Sequence, residues 1–469
     1  MNNVKLAAVI DDSVQRQQIP AREATEEFLF RIHRSQPILN ALVTVTERRA
    51  REDAERVDRA RAAGERLPLD GMPIVIKDNI DLAGYLTSNG SLQFENDIAV
   101  QDAEVASRLR LAGAVILGKA HLHELAFGVT SDSAYGVCQN PWDRQRIPGG
   151  SSSGSGVAVA ADLCVGALGT DTGGSIRIPS AVNGIVGLRP THGAVSMRGA
   201  LPLAQSFDTI GPMARSVIDV ARMFTAITGY DPQDPWSQRP AQMDGLGDDL
   251  RTVKGLKIGV AREYFFEDID PEIGTILDAA LGQLSNLGVL IEEVAVTGAR
   301  EVSESYAAIV SAEAFVNYST IGTRSLREST LARLEMGKRI SGSDIIRSRN
   351  AMVKWRRLVE QVFIDGVDLI LTPALKTKPP LVLDIDELSA IDVMTRTTRP
   401  WSLAQLPSIT IPCGSSSEGL PVGLQLTALP WHEPVLFRVG AAYQAVTSWH
   451  LRRPPLKFLE TDSKASRQQ

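Results

Sequence analysis

Two glycine- and serine-rich clusters contain the residues whose types and spacing could do chemistry. They cover residues 149–156, GGSSSGSG, and 169–175, GTDTGGS, and each lies beside a run of small apolar residues. Glycines let the backbone turn tightly and bring N–H groups close to a bound ligand. Loops of this kind suit either a phosphate cradle or an oxyanion hole.

The phosphate alternative lacks its motif. A P-loop needs GxxxxGK[ST], and a dinucleotide-binding loop needs GxGxxG after a strand with an acidic residue downstream. Residues 149–156 contain no lysine, and no such ribose-binding acid follows them. A tight structural turn would explain one cluster, but it explains two less well. The pattern therefore favours an oxyanion hole.

A serine nucleophile needs a base to take its proton, and no histidine stands in an obvious position for this task. Lys77 follows the apolar run MPIVI, which predicts a strand that carries the lysine into the interior. Because burial disfavours an ammonium ion, a desolvated lysine can act as a base near neutral pH. The alternative is a solvated pair of Lys77 with Asp78, which is the commoner arrangement for adjacent charges.

Three motifs in order, GMPIVIKDNI, GGSSSGSG and GTDTGGSIRIPSAVNGIVGLRPT, resemble the amidase signature family of serine hydrolases. NPW at 140–142 and LPSITIPCGSSSEGLPVGLQL at 406–426 extend the resemblance over most of the chain. The resemblance implies that Ser175 is the nucleophile, that Ser151 is a bridging serine with a cis peptide, and that Lys77 is the base. An acyl-serine intermediate would form, and no cofactor or metal is expected.

The same resemblance implies an oxyanion hole and a set of supporting side chains. The oxyanion donors would be the backbone amides of Thr172, Gly173, Gly174 and Ser175. The supporting side chains would be Ser152, Asp171 and Arg177. We expect Asp171 and Arg177 to brace the loop by hydrogen bonds. Ser152 is the alternative bridging serine, because Ser153 stands where the family usually has glycine, and spacing to Ser175 favours Ser151.

Two segments are expected to line the substrate pocket. One follows the turn at the HEL motif, residues 123–125, and the other lies around residues 401–405. The residues are Leu125, Ala126, Phe127, Gly128, Val129, Trp401 and Gln405. Such a slot would be mostly apolar, although the same residues could belong to the core. Burying a substrate charge there without a partner would be costly. We therefore expect a small uncharged carboxamide, aryl amide, carbamate or urea-type substrate, and poor hydrolysis of glutamine.

Three other functions remain as alternatives. The first is the glutaminase subunit of a tRNA-dependent amidotransferase, which belongs to the same superfamily, although HELAFGVTS looks closer to stand-alone amidases. The second is a metal-dependent amidohydrolase built on His121, His123 and Glu124, but such a site needs more ligands than this sequence offers in one place. The third is a binding protein without catalysis, against which the retention of all three polar residues argues.

Net charge and composition limit the classes of partner and the cellular compartment that we expect. The net charge of −6 with interspersed signs predicts no nucleic-acid partner and no membrane surface. The expected partner is a small amide or carbamate, with a homodimer possible. Three scattered cysteines and the lack of a signal-like N-terminus or a long apolar run favour the cytoplasm.

Short apolar runs that alternate with helical stretches predict an α/β fold. We expect the amidase signature fold, with a mixed twisted central sheet covered by helices on both faces. A single amidase domain over 1–469 would comprise a helical N-terminal cap (1–66), a signature core with the triad (67–228), and a region that completes the pocket and the core (229–469).

Overall fold

The computed structural model describes residues 18–239, 252–322 and 325–456. The strands in these ranges are β1 (Leu42–Val45), β2 (Pro73–Lys77), β3 (Val115–Ala120), β4 (Asp132–Ser133), β5 (Gly136–Val137), β6 (Gly166–Asp171), β7 (Val186–Arg189), β8 (Thr209–Ala214), β9 (Lys257–Val260), β10 (Leu290–Glu293), β11 (Leu369–Pro373), β12 (Ser408–Ser415) and β13 (Pro421–Thr427). The α-helices are α1 (Ala21–Leu39), α2 (Glu47–Ala62), α3 (Glu104–Leu111), α4 (Ser153–Ala160), α5 (Arg177–Asn183), α6 (Val217–Ile227), α7 (Pro271–Asn286), α8 (Val302–Tyr318), α9 (Glu328–Lys338), α10 (Gly342–Ile364), α11 (Glu387–Thr395), α12 (Arg399–Leu403) and α13 (Glu433–Val446).

One mixed sheet organises the described chain. Its strand order is β1-β3-β2-β6-β8-β7-β12-β13-β11-β9-β10. Strand β2 runs parallel to β3 and β6, whereas β6 runs antiparallel to β8. The near-continuous apolar sequences of β2 and β3 are typical of strands buried on both faces, and every residue of both is buried. The prediction of an α/β fold with a mixed central sheet is confirmed.

The N-terminal segment is not helical throughout. Between α1 and α2, β1 pairs antiparallel with β3 and adds a strand to the sheet, with Leu42 opposite Ala120. The short LVTV stretch is rich in β-branched residues, which favour a pleated surface. Residues 1–17 of the predicted cap lie outside the described residues. The division into 1–66, 67–228 and 229–469 within one domain stays a prediction.

The C-terminal third returns to the same sheet, as expected from its short apolar runs. Strands β11, β12 and β13 are neighbours in the central sheet. The chain between β10 and β11 includes α9 and α10, whose charged side chains are mostly exposed. No helix within the described ranges is both long enough and apolar enough to cross a membrane.

The topology brings the two chemical segments together. Strands β2 and β6 are parallel neighbours, with Ile76 opposite Leu168, so their carboxyl ends lie at the same edge of the sheet. β2 ends at Lys77, and β6 ends at Asp171, within the second glycine cluster. The first cluster leads into α4, which packs on β2 and β6. Sequence segments about ninety residues apart therefore meet at one place.

Candidate active site

Lys77 lies at the end of β2 and is fully buried. Its Nζ donates to the hydroxyl oxygen of Ser151 at 2.7 Å and to that of Thr170 at 2.7 Å. Burial lowers the pKa of Lys77 to about 7, against the opposing attraction of Asp171 and Asp208. A large share of this amine is therefore neutral at physiological pH, as a general base requires.

Asp78 does not form a surface pair with its neighbour. Its carboxylate is fully buried and lies 2.8 Å from the Nζ of Lys119 on β3. The Asp78 carboxylate also accepts a hydrogen bond from the Ser88 backbone N–H at 3.2 Å. Because Lys119 neutralises Asp78, this acid adds no contact that would hold a proton on Lys77.

The first glycine cluster presents Ser151 to the lysine. The Gly150–Ser151 peptide is cis, at the position that the family resemblance implies. The carbonyl of Ser151 accepts a hydrogen bond from the His123 N–H at 3.1 Å. The hydroxyl of Ser152 instead donates to the Thr170 carbonyl at 3.2 Å. Of the two candidate bridging serines, the structure places Ser151 against Lys77 and leaves Ser152 bonded to the backbone of β6.

Residues 172–175, which we call the oxyanion turn, follow β6 and line the pocket with Thr172, Gly173 and Ser175. A Cβ on Gly173 would collide with the hydroxyl of Tyr306, and Gly174 has φ +138°, a conformation that favours glycine. The Gly174 N–H donates to Asp171 Oδ1 at 2.9 Å. This bond uses one of the four amides expected in the oxyanion hole and leaves those of Thr172, Gly173 and Ser175 as candidate donors.

Asp171 and Arg177 brace the turn. Arg177 is fully buried and donates to Asp171, and it also donates to Ser402 Oγ at 2.7 Å and Gln425 Oε1 at 2.9 Å. Burial alone would raise the pKa of Asp171, but the guanidinium groups of Arg177 and Arg189 hold it well below its usual range. Asp171 is therefore an ionised anchor for the backbone that carries Ser175.

The pocket above Ser175 contains part of the segment predicted from sequence. Ala126, Phe127, Gly128 and Val129 line it together with Ser175.

Three residues predicted for the pocket do not line it. Leu125 is fully buried in the apolar cluster behind the pocket, the same cluster that contains the lining residue Phe127. Trp401 is also fully buried, because its ring stacks on Phe265 with centroids 5.1 Å apart. Gln405 turns away to donate to the Ser206 carbonyl at 2.8 Å. These placements correct the predicted pocket lining.

Most of the remaining wall comes from the C-terminal half of the chain. Helix α8 presents one face to the pocket, and α9, α11 and α12 add the rest. These residues are Tyr306, Ala307, Val310, Ser311, Arg333, Ile391, Thr395 and Arg399. The spacing of the four residues on α8 is helical, but nothing in the sequence indicates that this face meets the pocket.

Two arginines in this wall make the pocket less apolar than expected. The guanidinium of Arg399 pairs with Asp392 at 2.6 Å. Arg333 packs over the Phe127 ring, 3.4 Å from its centroid, and donates to the Phe127 carbonyl. No carboxylate of the described residues lies within ion-pair distance of Arg333. Burial lowers the pKa of Arg333 to about 10, so it stays charged at neutral pH.

The two histidines of the HLHE stretch have protein partners. His121 Nε2 lies 3.0 Å from the Gly136 carbonyl, and His123 Nε2 lies 2.9 Å from Glu387. Across the described ranges, no group of three or more His, Cys, Asp or Glu side chains is arranged to hold a metal ion. The three cysteines are buried and unpaired.

Comparison with known proteins assigns the family. The sequence profile of the family described as Amidase matches residues 23–437. The chain belongs to this family, the amidase signature enzymes, and is a hydrolase of C–N bonds.

Individual relatives agree with this family. The A subunit of the glutamyl-tRNA(Gln) amidotransferase of Geobacter sp. (strain M21) is 35% identical over 486 residues, covering 95% of this chain and 98% of the relative. A solved chain from a vestigial protein complex that reveals the origins of an s-triazine catabolic enzyme is 32% identical with a TM-score of 0.87, covering 95% and 98% of the two chains. The peptide amidase of Stenotrophomonas maltophilia is 31% identical with a TM-score of 0.81, and the same shares are covered.

The comparison corrects the predicted partners. From net charge and the HEL segment we expected a stand-alone enzyme with only a small-molecule partner and no nucleic acid. That prediction is wrong, because full-length relatives are named as one subunit of an enzyme whose name includes a tRNA. Net charge reports the average surface of one chain, and a subunit can meet a nucleic acid through an assembly that its own charge does not reveal.

Proposed function

We propose that this chain hydrolyses a small carboxamide whose far end carries a carboxylate, and that it does so as the amide-cleaving subunit of a protein assembly. The observation that carries this proposal is Arg333, a cation in the wall of the Ser175 pocket that forms no ion pair with a carboxylate of the described residues, although Glu387 acts on it electrostatically from a longer distance. A buried or half-buried charge is stabilised when a substrate supplies the opposite charge. The names of the relatives support the assembly.

The proposed reaction uses the contacts around Ser151. As Ser175 Oγ attacks the amide carbon, its proton passes to Ser151 Oγ, and the Ser151 proton passes to Lys77 Nζ. The backbone amides of the oxyanion turn stabilise the charge on the former carbonyl oxygen. The C–N bond then breaks, and the leaving nitrogen takes the proton back along the same relay. Water cleaves the acyl-serine bond in a second, equivalent round.

Two substrates fit this description, and different observations favour them. The names of the relatives favour glutamine, as in the glutaminase subunit of an amidotransferase. The lining favours an anionic amide without an ammonium group, because none of the described residues that line the pocket is Asp or Glu. The oxygens that Tyr306 and Thr395 add to the lining are neutral, and the acid beside it, Glu387 next to Gly128, is already paired with His123 at 2.9 Å.

A comparison of four compounds tests the substrate class. They are glutamine, glutaramate (glutamine without its amino group), N-carbamoyl-β-alanine as the urea analogue of glutaramate, and pentanamide, in which a methyl group replaces the carboxylate. A charge-assisted contact with Arg333 is expected to make kcat/KM for glutaramate about 10- to 100-fold higher than for pentanamide. Equal values for these two would contradict the proposal. The order of glutamine and glutaramate distinguishes the two substrates.

Substitution of the arginine tests its role directly. We expect Arg333→Met to remove the preference for glutaramate while the slow hydrolysis of pentanamide remains. Arg357→Met is the matched control, since Arg357 is an exposed arginine on α10 that is 81% accessible. Loss of both activities to the same extent in Arg333→Met would show that Arg333 supports the wall rather than the substrate.

A further inference from the structure

We propose that Asp208 is a positioning residue of this site: its carboxylate ties the oxyanion turn to the pocket-lining segment at Leu203 and places an unneutralised negative charge near Lys77. Asp208 lies outside the sequence motifs that predict the site. The inference rests on the proposed function, because positioning matters only if Ser175 and Lys77 react as described.

The bonds of Asp208 join two segments that line one pocket. Asp208 immediately precedes β8, where Thr209 pairs with Asp171 at the end of β6. One carboxylate oxygen accepts a hydrogen bond from the Thr172 hydroxyl. The other accepts from the backbone N–H groups of Leu203 at 2.8 Å and Ala204 at 2.9 Å. Thr172 and Leu203 both line the Ser175 pocket, so one side chain fixes their separation.

The second feature of Asp208 is that its carboxylate is buried without a cationic partner in the described ranges. Asp208 is 4% exposed, and no lysine or arginine of the described chain forms an ion pair with it. Burial raises the pKa of Asp208 to about 6, although the bonds from Thr172, Leu203 and Ala204 oppose this rise. The carboxylate accepts all three of these bonds; in an asparagine the amide oxygen can still accept from the two backbone N–H groups while the amide nitrogen donates to the Thr172 hydroxyl, so the substitution removes the charge and reverses that one bond.

The charged and titratable groups that act electrostatically with Asp208 are Lys77, Glu313, Tyr306 and Tyr318. Of these, Lys77 is the proposed base. Asp171, the other acid that raises the Lys77 pKa, is already paired with Arg177 and Arg189. Asp208 is therefore the acid near Lys77 whose charge no arginine offsets. It opposes the effect of burial and keeps the Lys77 pKa from falling further.

Asp208→Asn tests both effects together. Labelling of Ser175 by a sulfonyl fluoride is a suitable probe, because it requires an activated serine but not the natural substrate. The Ser175 Oγ–S bond forms, the S–F bond breaks, and the serine proton goes to the base. We expect the labelling rate to fall about tenfold, less than the loss of a whole oxyanion donor. The labelling rate should fall at low pH, where Lys77 is protonated, and we call this fall the acid limb of the pH profile. Because removal of the anion lowers the Lys77 pKa, we expect the acid limb to move about 0.5 pH unit lower.

Two further comparisons separate positioning from a general structural effect. Asp234→Asn is the matched control, since Asp234 is also a buried acid that accepts two backbone N–H bonds but does not contact the oxyanion turn. It should leave the acid limb in place. If Asp208→Asn does not fold, Thr172→Val and Thr172→Ser test the same link, and serine should retain more of the rate than valine.

The labelling experiment separates failure of the Asp208 inference from failure of the proposed function. If the unchanged chain is not labelled at Ser175, the proposed function fails. If the unchanged chain is labelled but Asp208→Asn keeps both its rate and its acid limb, the inference is wrong. A slower rate with an unmoved limb, matched by Asp234→Asn, would also overturn it, because it would reduce Asp208 to an ordinary structural acid.

Discussion

Replacement of Ser175 with alanine is expected to lower kcat by about 10⁴- to 10⁶-fold, the scale seen when a catalytic serine is removed. Ser175 lies in the wall of the pocket, directly after two glycines that no larger residue could replace without collision or strain. Its loss removes the atom that would form the acyl bond. Steady-state hydrolysis of glutaramate by the purified variant measures the effect.

The fold should survive this change, because removal of one oxygen at the pocket surface creates no cavity in the core. A melting temperature close to that of the unchanged chain is the necessary check. Ser152→Ala is the matched control within the other serine cluster, since the Ser152 hydroxyl bonds to the β6 backbone rather than to Lys77. Turnover by Ser175→Ala within tenfold of the unchanged chain would overturn the assignment of the nucleophile.

Replacement of Lys77 with alanine is the second large effect. General base catalysis contributes about 10²- to 10⁴-fold, so kcat should fall on this scale while KM changes little. With Lys77 present, its pKa of about 7 predicts that kcat falls as pH drops below about 7, because protonation removes the base. With Lys77 absent, this limb should disappear.

Lys376→Met controls for the loss of any buried lysine. Burial also lowers the pKa of Lys376, to about 8, but its Nζ donates to the carbonyls of Tyr264 and Glu267, outside the relay. The acid limb should therefore persist in this variant. If Lys77→Ala instead raised KM and left kcat unchanged, Lys77 would be a substrate-binding residue.

The placement of the relay could be anticipated from the sequence because its determinants are local. An apolar run ending in Lys77 predicts a buried strand, and glycines around a serine predict a tight turn at the end of another. Parallel pairing of β2 and β6 then brings the two ends together. The roles of these residues in catalysis stay predictions until they are measured.

The pocket wall could not be anticipated in the same way. Arg333 and Tyr306 come from helices that follow the relay by more than a hundred residues, and only tertiary packing turns these faces toward Ser175. Trp401 illustrates the converse error. Its position near a family segment suggested the pocket, but the gain from stacking a large ring on Phe265 places it in the core. Because Arg333 was not among the residues predicted to line the pocket, the sequence suggested an uncharged substrate.

The proposed mechanism depends most on an activated serine at position 175 with Lys77 as its base. Mass mapping of the protein after brief exposure to a sulfonyl fluoride tests this most directly. The mechanism predicts one covalent adduct on the peptide that contains Ser175, no adduct in Ser175→Ala, and a labelling rate that falls below about pH 7 unless Lys77 is replaced. An adduct on Ser151 in the unchanged chain, or equally fast labelling of Lys77→Ala with the same pH dependence, would contradict it.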